Sequence, residues 1–303
     1  MTVRGLDPET FLRNNWQRLP SVFRNAITVQ APVSPEELAG LALEEHIESR
    51  IVDSSADTWV RLDGPFSEEF FLNRPDSGWT LLVQGVDLWL PRTEAIIEAF
   101  NFLPRWRFDD VMVSYATPGG SVGPHFDHYD VFLIQVSGHR SWRLGQSCAL
   151  DAAVDSSSGL KILQDFQQTN EHILAPGDIL YVPPGIAHWG ESIDESITYS
   201  VGFRAPTAAE MLYDLAIELE SRNDARHLAD PHLTPNMAGT DIHPAYISSA
   251  RSFLETIIAD DQFIADWLAR YMTRPKYEEF VDLSQEHREA SIGQRRYVNG
   301  EID

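Results

Sequence analysis

His125 and Asp127 put one imidazole and one carboxylate two residues apart at the end of a glycine-rich run, GGSVGPHFD, just before a strongly apolar stretch. In extended backbone, residues i and i+2 point to the same side. The pair can therefore grip one face of a metal ion, and a histidine arriving from another strand completes a facial triad. A triad of two histidines and one carboxylate leaves three coordination positions open, the arrangement of non-haem Fe(II) oxygenases. The second histidine is sought in GDILYVPPGIAHWGES, where Gly177-Asp178 turns into an apolar run and Pro183-Pro184-Gly185 stiffens the approach to His188. An H-x-D alone carries little weight, since His128-Tyr129-Asp130 is a second one. The first is preferred on phase, because it keeps Val131, Leu133 and Gln135 on its own side of the following strand. That assigns His128 to the pocket rim or to substrate.

A cation stands close by in sequence. After the turn at Ser137-Gly138, the alternation puts His139, Ser141 and Arg143 on one face and Arg140, Trp142 and Leu144 on the other, which looks inward. An arginine buried beside tryptophan and leucine is costly unless a counter-anion reaches it. No acidic residue is supplied in that strand, so a bound carboxylate is the expected partner, matched by the planar guanidinium through two parallel hydrogen bonds. Ser200, in ITYSVGF, and Ser114, on the strand entering the metal loop, are candidates to donate to the same carboxylate. Each is equally readable as an ordinary satisfied hydroxyl of a barrel.

The elements that must hold these groups are short β-type runs between residues 110 and 203: VMVSYAT, VFLIQVS, SWRLG, HILAPGD, ILYVP and ITYSVGF, separated by Gly, Pro, Asn and Asp. They predict a mainly β fold with flanking helices, closed as a barrel or jelly roll. A helix start is legible at Ser34-Pro35-Glu36-Glu37, with Leu38, Leu41, Ala42 and Ile47 as its apolar face. After Pro206 the period becomes helical, with Met211, Leu212, Leu215 and Leu219 on one stripe and Phe253, Leu254, Ile257, Ile258, Phe263, Ile264, Trp267, Leu268 and Tyr271 on others. The expected division is a catalytic domain at 1–205, a helical region at 206–273 and a polar, irregular tail or truncated C-terminal module at 274–303.

Composition limits the partners. With 303 residues and 43% hydrophobic content the chain can bury a full core. Its 46 acidic against 23 basic side chains give a formal charge of −23, which repels a phosphate backbone. No direct nucleic-acid binding is expected, and a basic partner suits the surface. Cys148 is the single cysteine, which excludes an intrachain disulfide or a thiolate cluster and points to the cytoplasm. The N-terminus has no apolar core behind its charges, and the most apolar stretch, 79–90, is interrupted by Gln84, Gly85 and Asp87, so neither a signal peptide nor a membrane span is expected.

The motifs FLRNNWQRLPSVFRNA, SPEELAGLALE, WTLLVQGVDLW, GPHFDHYDVFLIQVSGHRSWRLG, LAPGDILYVPPGIAHWGES and ITYSVGFRAPTAAEML resemble those of the JmjC-type ribosomal oxygenases. The resemblance is to the bacterial branch above all, which hydroxylates an arginine of a large-subunit ribosomal protein (ribosomal protein arginine 3-hydroxylase). It implies a double-stranded β-helix (jelly roll, cupin/JmjC) followed by a helical dimerisation region, hence a homodimer. It also implies Fe(II), with 2-oxoglutarate and O2 as co-substrates. By similarity His125, Asp127 and His188 fall on the iron ligands, Arg140 on the basic residue for the 2-oxoglutarate carboxylate, and Ser114 and Ser200 on polar pocket positions. Arginine at 140, where histidine-hydroxylating relatives carry lysine, favours the arginine-hydroxylating branch. Two features depart from the family: His128 follows the aspartate where glutamine is usual, and only YVNGEID is similar to a piece of the relatives' C-terminal winged helix. The rival readings are a histidyl hydroxylase or N-methyl demethylase of the same fold, and a metal-free cupin-like binding protein.

Overall fold

Along Val131-Phe132-Leu133-Ile134 the side chains alternate between two buried environments, and that alternation organises the catalytic part of the molecule. The computed structural model describes residues 2–54, 59–149, 151–222, 224–281 and 287–303. Among the described residues thirteen strands precede residue 205: β1 Ser21–Phe23, β2 Ser49–Asp53, β3 Val60–Asp63, β4 Trp79–Val83, β5 Phe108–Ala116, β6 Asp130–Ser137, β7 Arg140–Ser147, β8 Val154–Asp155, β9 Ile162–Leu163, β10 Asn170–Leu174, β11 Ile179–Val182, β12 Ile186–Ser192 and β13 Ser196–Phe203. Eight of them form an antiparallel sheet in the order β1-β11-β6-β13-β5-β4-β2-β3, and three form a smaller one, β10-β7-β12.

Val131, Leu133, Leu180 and Val182 of the large sheet pack with Trp142, Leu144 and Leu174 of the small one, so the two sheets share a core, as in a jelly roll. The other face of the large sheet, with Phe132, Ile134, Tyr181, Tyr199 and Val201, is covered by apolar residues from the N-terminal helices and turns, among them Phe11, Leu38, Ile96 and Phe100. A sheet buried on both faces reads as continuous apolar sequence, which explains the run VFLI. The short helices are α1 Pro8–Asn14, α2 Pro35–Leu41, α3 Glu68–Leu72, α4 Val86–Trp89 and α5 Glu94–Ile97. At α2 the expected start is present as a full capping box, with Ser34 Oγ accepting from Glu37 N and Ser34 N donating to the Glu37 carboxylate.

Two strands lie outside the runs named from the sequence. IAHWGES, not named among the β-type runs although His188 was expected from a strand, is strand β12, and the 79–83 part of the apolar stretch is β4, buried along its whole length. The remaining helices are α6 Ala208–Ser221, α7 Pro244–Ile258 and α8 Asp261–Thr273. The 289–302 part of the expected irregular tail forms an antiparallel sheet, β14 Glu289–Ile292, β15 Arg295–Val298 and β16 Glu301–Ile302. Its polar strands are tied to α8 by Arg295 and Tyr297, both bonded to Asp266, and by Gly300 N donating to Thr273 Oγ1. Residues 282–286 of that tail lie outside the described residues.

The chain divides into two compact units, Met1–Ala205 with Lys276–Glu286, and Pro206–Pro275 with His287–Asp303. In the second unit Leu215, Phe263 and Trp267 make a small core. Asp214 is bonded there by Trp267 Nε1 at 2.9 Å and by Arg274.

Candidate metal centre

The loop before β6 is shaped for close approach. Gly123 has φ +78°, and a Cβ there would stand 2.7 Å from Ile162 Cδ1 and 3.0 Å from Trp59, so both conformation and space require glycine. Two residues on, His125 N donates to His188 O at 3.0 Å and His188 N to His125 O at 2.8 Å. This reciprocal bridge sets the two imidazoles side by side, ring centres 4.3 Å apart. The phase of extended chain adds Asp127, whose Oδ2 lies 3.6 Å from His188 Nε2 and whose carbonyl is held by Gly185 N at 2.7 Å. One ligand atom from each of the three lies within 4.8 Å of the others.

Both imidazoles are oriented from behind. His125 Nδ1 meets Gly123 O at 2.9 Å and His188 Nδ1 meets Ile186 O at 3.0 Å. Carbonyl partners fix the proton on Nδ1 and leave both Nε2 lone pairs for a metal. Burial, helped by the neighbouring His125, pushes His188 down to about 4, so it is neutral at physiological pH, the form in which imidazole coordinates. An irregularity in the β12–β7 pairing between Ile186 and His188 locally re-aims the strand beside this ligand.

Arg140 is 6% exposed, and burial pushes its guanidinium down to about 10, still charged at neutral pH. Among the described residues no carboxylate pairs with it. Nη1 reaches Ser114 Oγ and Nη2 reaches Ser196 Oγ, each at a long 3.4 Å, and Trp142 packs 5.8 Å from the cation. Arg140 Nε, Trp142 Nε1 and Thr80 Oγ1 are buried with no protein partner. Leaving buried donors unmet is costly. All three residues line the same cavity of about 220 Å³ as His125, Asp127, His188, Ser114 and Ser200. A metal-bound dicarboxylate fits this donor set, with one end at the triad and the other against Arg140.

Ser196, which the sequence analysis missed, meets Arg140 Nη2 at 3.4 Å, and Ser200 lines the cavity. His128 is exposed, edge-on to Phe126, and Tyr129 rather than His128 lines the cavity. Asp130 is fully buried away from the triad, accepting from Tyr181 Oη at 2.6 Å and Gln17 Nε2 at 3.1 Å. It is a structural group.

Also missed was a second cavity of about 290 Å³ that shares Gln84, Met112, Tyr129, Val131 and Ser200 with the first. Its own wall is acidic: Glu48, Asp109 and Asp110, with Lys276 among them. The adjacent acids at the start of β5 were the available signal.

Comparison with known proteins shows the family. A JmjC domain model matches residues 95–211, the segment that holds all six residues singled out from the sequence. The chain is 36% identical over 273 residues to the ribosomal protein uL16 3-hydroxylase of Escherichia coli (strain K12), covering 88% of this chain and 72% of that protein. The chain belongs to the JmjC-type ribosomal oxygenases. A probable ribosomal oxygenase of Haemophilus influenzae is 32% identical over 295 residues, covering 96% of this chain and 70% of its own. Among solved ribosomal oxygenases, Escherichia coli YcfD matches with a TM-score of 0.89 at 32% identity, over all of this chain and 87% of that one. A YcfD structure in complex with cobalt and 2-oxoglutarate matches at 0.86 and 31%, over all of this chain and 86% of its own.

Proposed function

We propose that this ribosomal oxygenase is an Fe(II)- and 2-oxoglutarate-dependent dioxygenase that hydroxylates an arginine side chain of a large-subunit ribosomal protein. The observation that carries the reading is the His125–Asp127–His188 cluster sharing one cavity with a buried arginine that has no carboxylate partner among the described residues. The three side chains would hold iron, and Arg140, with Ser114 and Ser200 beside it in the wall, would hold the distal carboxylate of 2-oxoglutarate. The bound iron, with co-substrate and O2, supplies the oxidising power to place hydroxyl on an unactivated carbon. The protein's share is geometry: orienting both imidazoles, neutralising the co-substrate, and keeping the reacting carbon among apolar walls such as Val131, Leu133 and Met112.

The acidic second cavity favours a cationic side chain over a neutral imidazole, and so favours arginine over histidine. The net charge of −23 suits a basic protein and opposes direct contact with RNA. No helix among the described residues is long and apolar enough to cross a membrane, and the reading places the chain in the cytoplasm with the ribosomal proteins. The helical unit serves as the dimerisation region: Leu212, Tyr213 and Ile217 on α6 and Ile247, Leu254 and Ile258 on α7 are exposed. Trp267, counted in the sequence as part of that face, is instead buried in the unit's own core.

The test incubates the Fe(II)-loaded chain with 2-oxoglutarate and an arginine-containing peptide of uL16. Peptide-dependent succinate, with one added oxygen atom mapped to an arginine, is the expected result. Formaldehyde from N-methylated peptides without a stable oxygen adduct would select the demethylase reading, and no Fe(II) or Mn(II) binding would select the cupin-like one.

A further inference from the structure

We propose that Lys276 is a positioning residue of the substrate site: its ammonium clamps Asp109 and Asp110 from behind, so that Asp110 presents its second carboxylate oxygen to an incoming cationic side chain. The inference rests on the arginine-hydroxylase reading above and adds a residue to it.

The clamp follows from an interruption in strand pairing. Val201 pairs with Val111 and Phe203 with Phe108, so Gly202 alone stands opposite both Asp109 and Asp110. Two residues against one make a β-bulge, which breaks the alternation of side chains and lets neighbours converge. Both carboxylates reach one ammonium: Lys276 Nζ lies 2.8 Å from Asp110 Oδ2 and 3.3 Å from Asp109 Oδ2. Gln84 Nε2 at 2.7 Å and Gly85 N at 3.1 Å donate to the same Oδ2. Oδ1 receives none of these bonds and lies by Gly202, itself part of the cavity wall. A carboxylate held through one oxygen and offered through the other is an oriented acceptor for a guanidinium.

The strap that carries the lysine is anchored. Tyr277 Oη donates to Glu48 Oε2 at 2.7 Å and Phe280 packs on His46, their ring centres 5.7 Å apart. That favours a fixed clamp over a displaceable plug. Lysine is also rare: Lys161 and Lys276 are the only two in the chain, and both line cavities of this site. Between two converging carboxylates a compact ammonium with three donors reaches both at once.

Charge balance makes the clamp testable. Asp110 is fully buried, and burial raises its carboxyl while Lys276 pulls it down. The other charged groups around it are Asp109, which also pairs with Arg204, Glu48, which pairs with Arg50, and Asp87 on α4. Tyr129 lines the cavity, and Tyr277, on the strap, stands beside Gly85. Without Lys276 the pull downward is gone and the carboxyl rises further, which weakens the anionic acceptor as pH falls.

Lys276→Met and Lys276→Arg would be assayed with the uL16 arginine peptide between pH 5.5 and 9, alongside 2-oxoglutarate turnover without peptide. For Lys276→Met, the peptide KM rises about tenfold or more near neutrality. The acid limb of kcat/KM moves to higher pH, Lys276→Arg restores much of both, and the KM for 2-oxoglutarate and peptide-free turnover hold. Peptide-free turnover equal to wild type shows that the variant is folded. An unchanged peptide KM and acid limb, or turnover faster than wild type as expected of a removed plug, would overturn the proposal. Failure of the wild type to oxidise the peptide would instead overturn the arginine-hydroxylase reading.

Discussion

Each histidine of the candidate centre commits one ring nitrogen to a backbone carbonyl, so the ligand atoms are set by local chain geometry before any ion arrives. His125→Ala, Asp127→Ala and His188→Ala are each expected to abolish Mn(II) binding and succinate formation, while His128→Ala, exposed and outside the cavity wall, leaves both intact. Asp130→Ala should keep metal affinity yet lower stability by about 3 kcal/mol in urea titration, since it strips a buried partner from Tyr181 and Arg107. Arg140→Ala should raise half-saturation for 2-oxoglutarate about ten- to a hundredfold, the loss of a charge-assisted contact of roughly 1.5–3 kcal/mol. Unchanged half-saturation would put the anchor elsewhere. The metal residues were legible because H-x-D spacing and strand phase are local properties. Asp110 and Lys276 were not, because 166 residues separate them and their meeting depends on a bulge that no period-2 pattern announces.

At the scale of elements, alternation named the long strands well and failed where strands are short or interrupted. β12 was hidden because Pro183-Pro184-Gly185 reads as loop and IAHWGES mixes Gly and His into its pattern. The C-terminal strands were hidden because their inward positions are few, Tyr297 being the one large side chain fully buried there. The turn joining β6 to β7 offers a sharp test of how tightly elements hold the site. Gly138 has φ +63°, and a Cβ would fall 2.0 Å from Glu195 O. Gly138→Ala is expected to cost about 2–3 kcal/mol. By shifting the start of β7 it should also raise the 2-oxoglutarate requirement. A lower melting temperature with unaltered co-substrate affinity would show that Arg140 is held by its neighbours rather than by this turn.

For the whole molecule, connectivity matters as much as surface. The chain passes from one compact unit to the other after Ala205, returns at Lys276 and leaves again after Glu286. Truncation after residue 273 therefore removes the strap bearing Lys276 as well as the C-terminal strands, and should raise the peptide KM while sparing peptide-free turnover. Assembly is addressed with Leu254→Glu and Ile258→Glu, which alter exposed positions: the wild type should sediment as a dimer and the double variant as a folded monomer. A monomeric wild type at micromolar concentration would remove the dimer from the proposal. The scarcity of lysine has a practical consequence of another kind. Because arginine does not react with acylating reagents under mild conditions, the amines available to them, beyond the chain's own amino terminus, are Lys161 and Lys276. A mass spectrum after brief acylation thus reads the exposed Lys161 in the first cavity, and reads Lys276 in the second only when its pairing with Asp109 and Asp110 is broken.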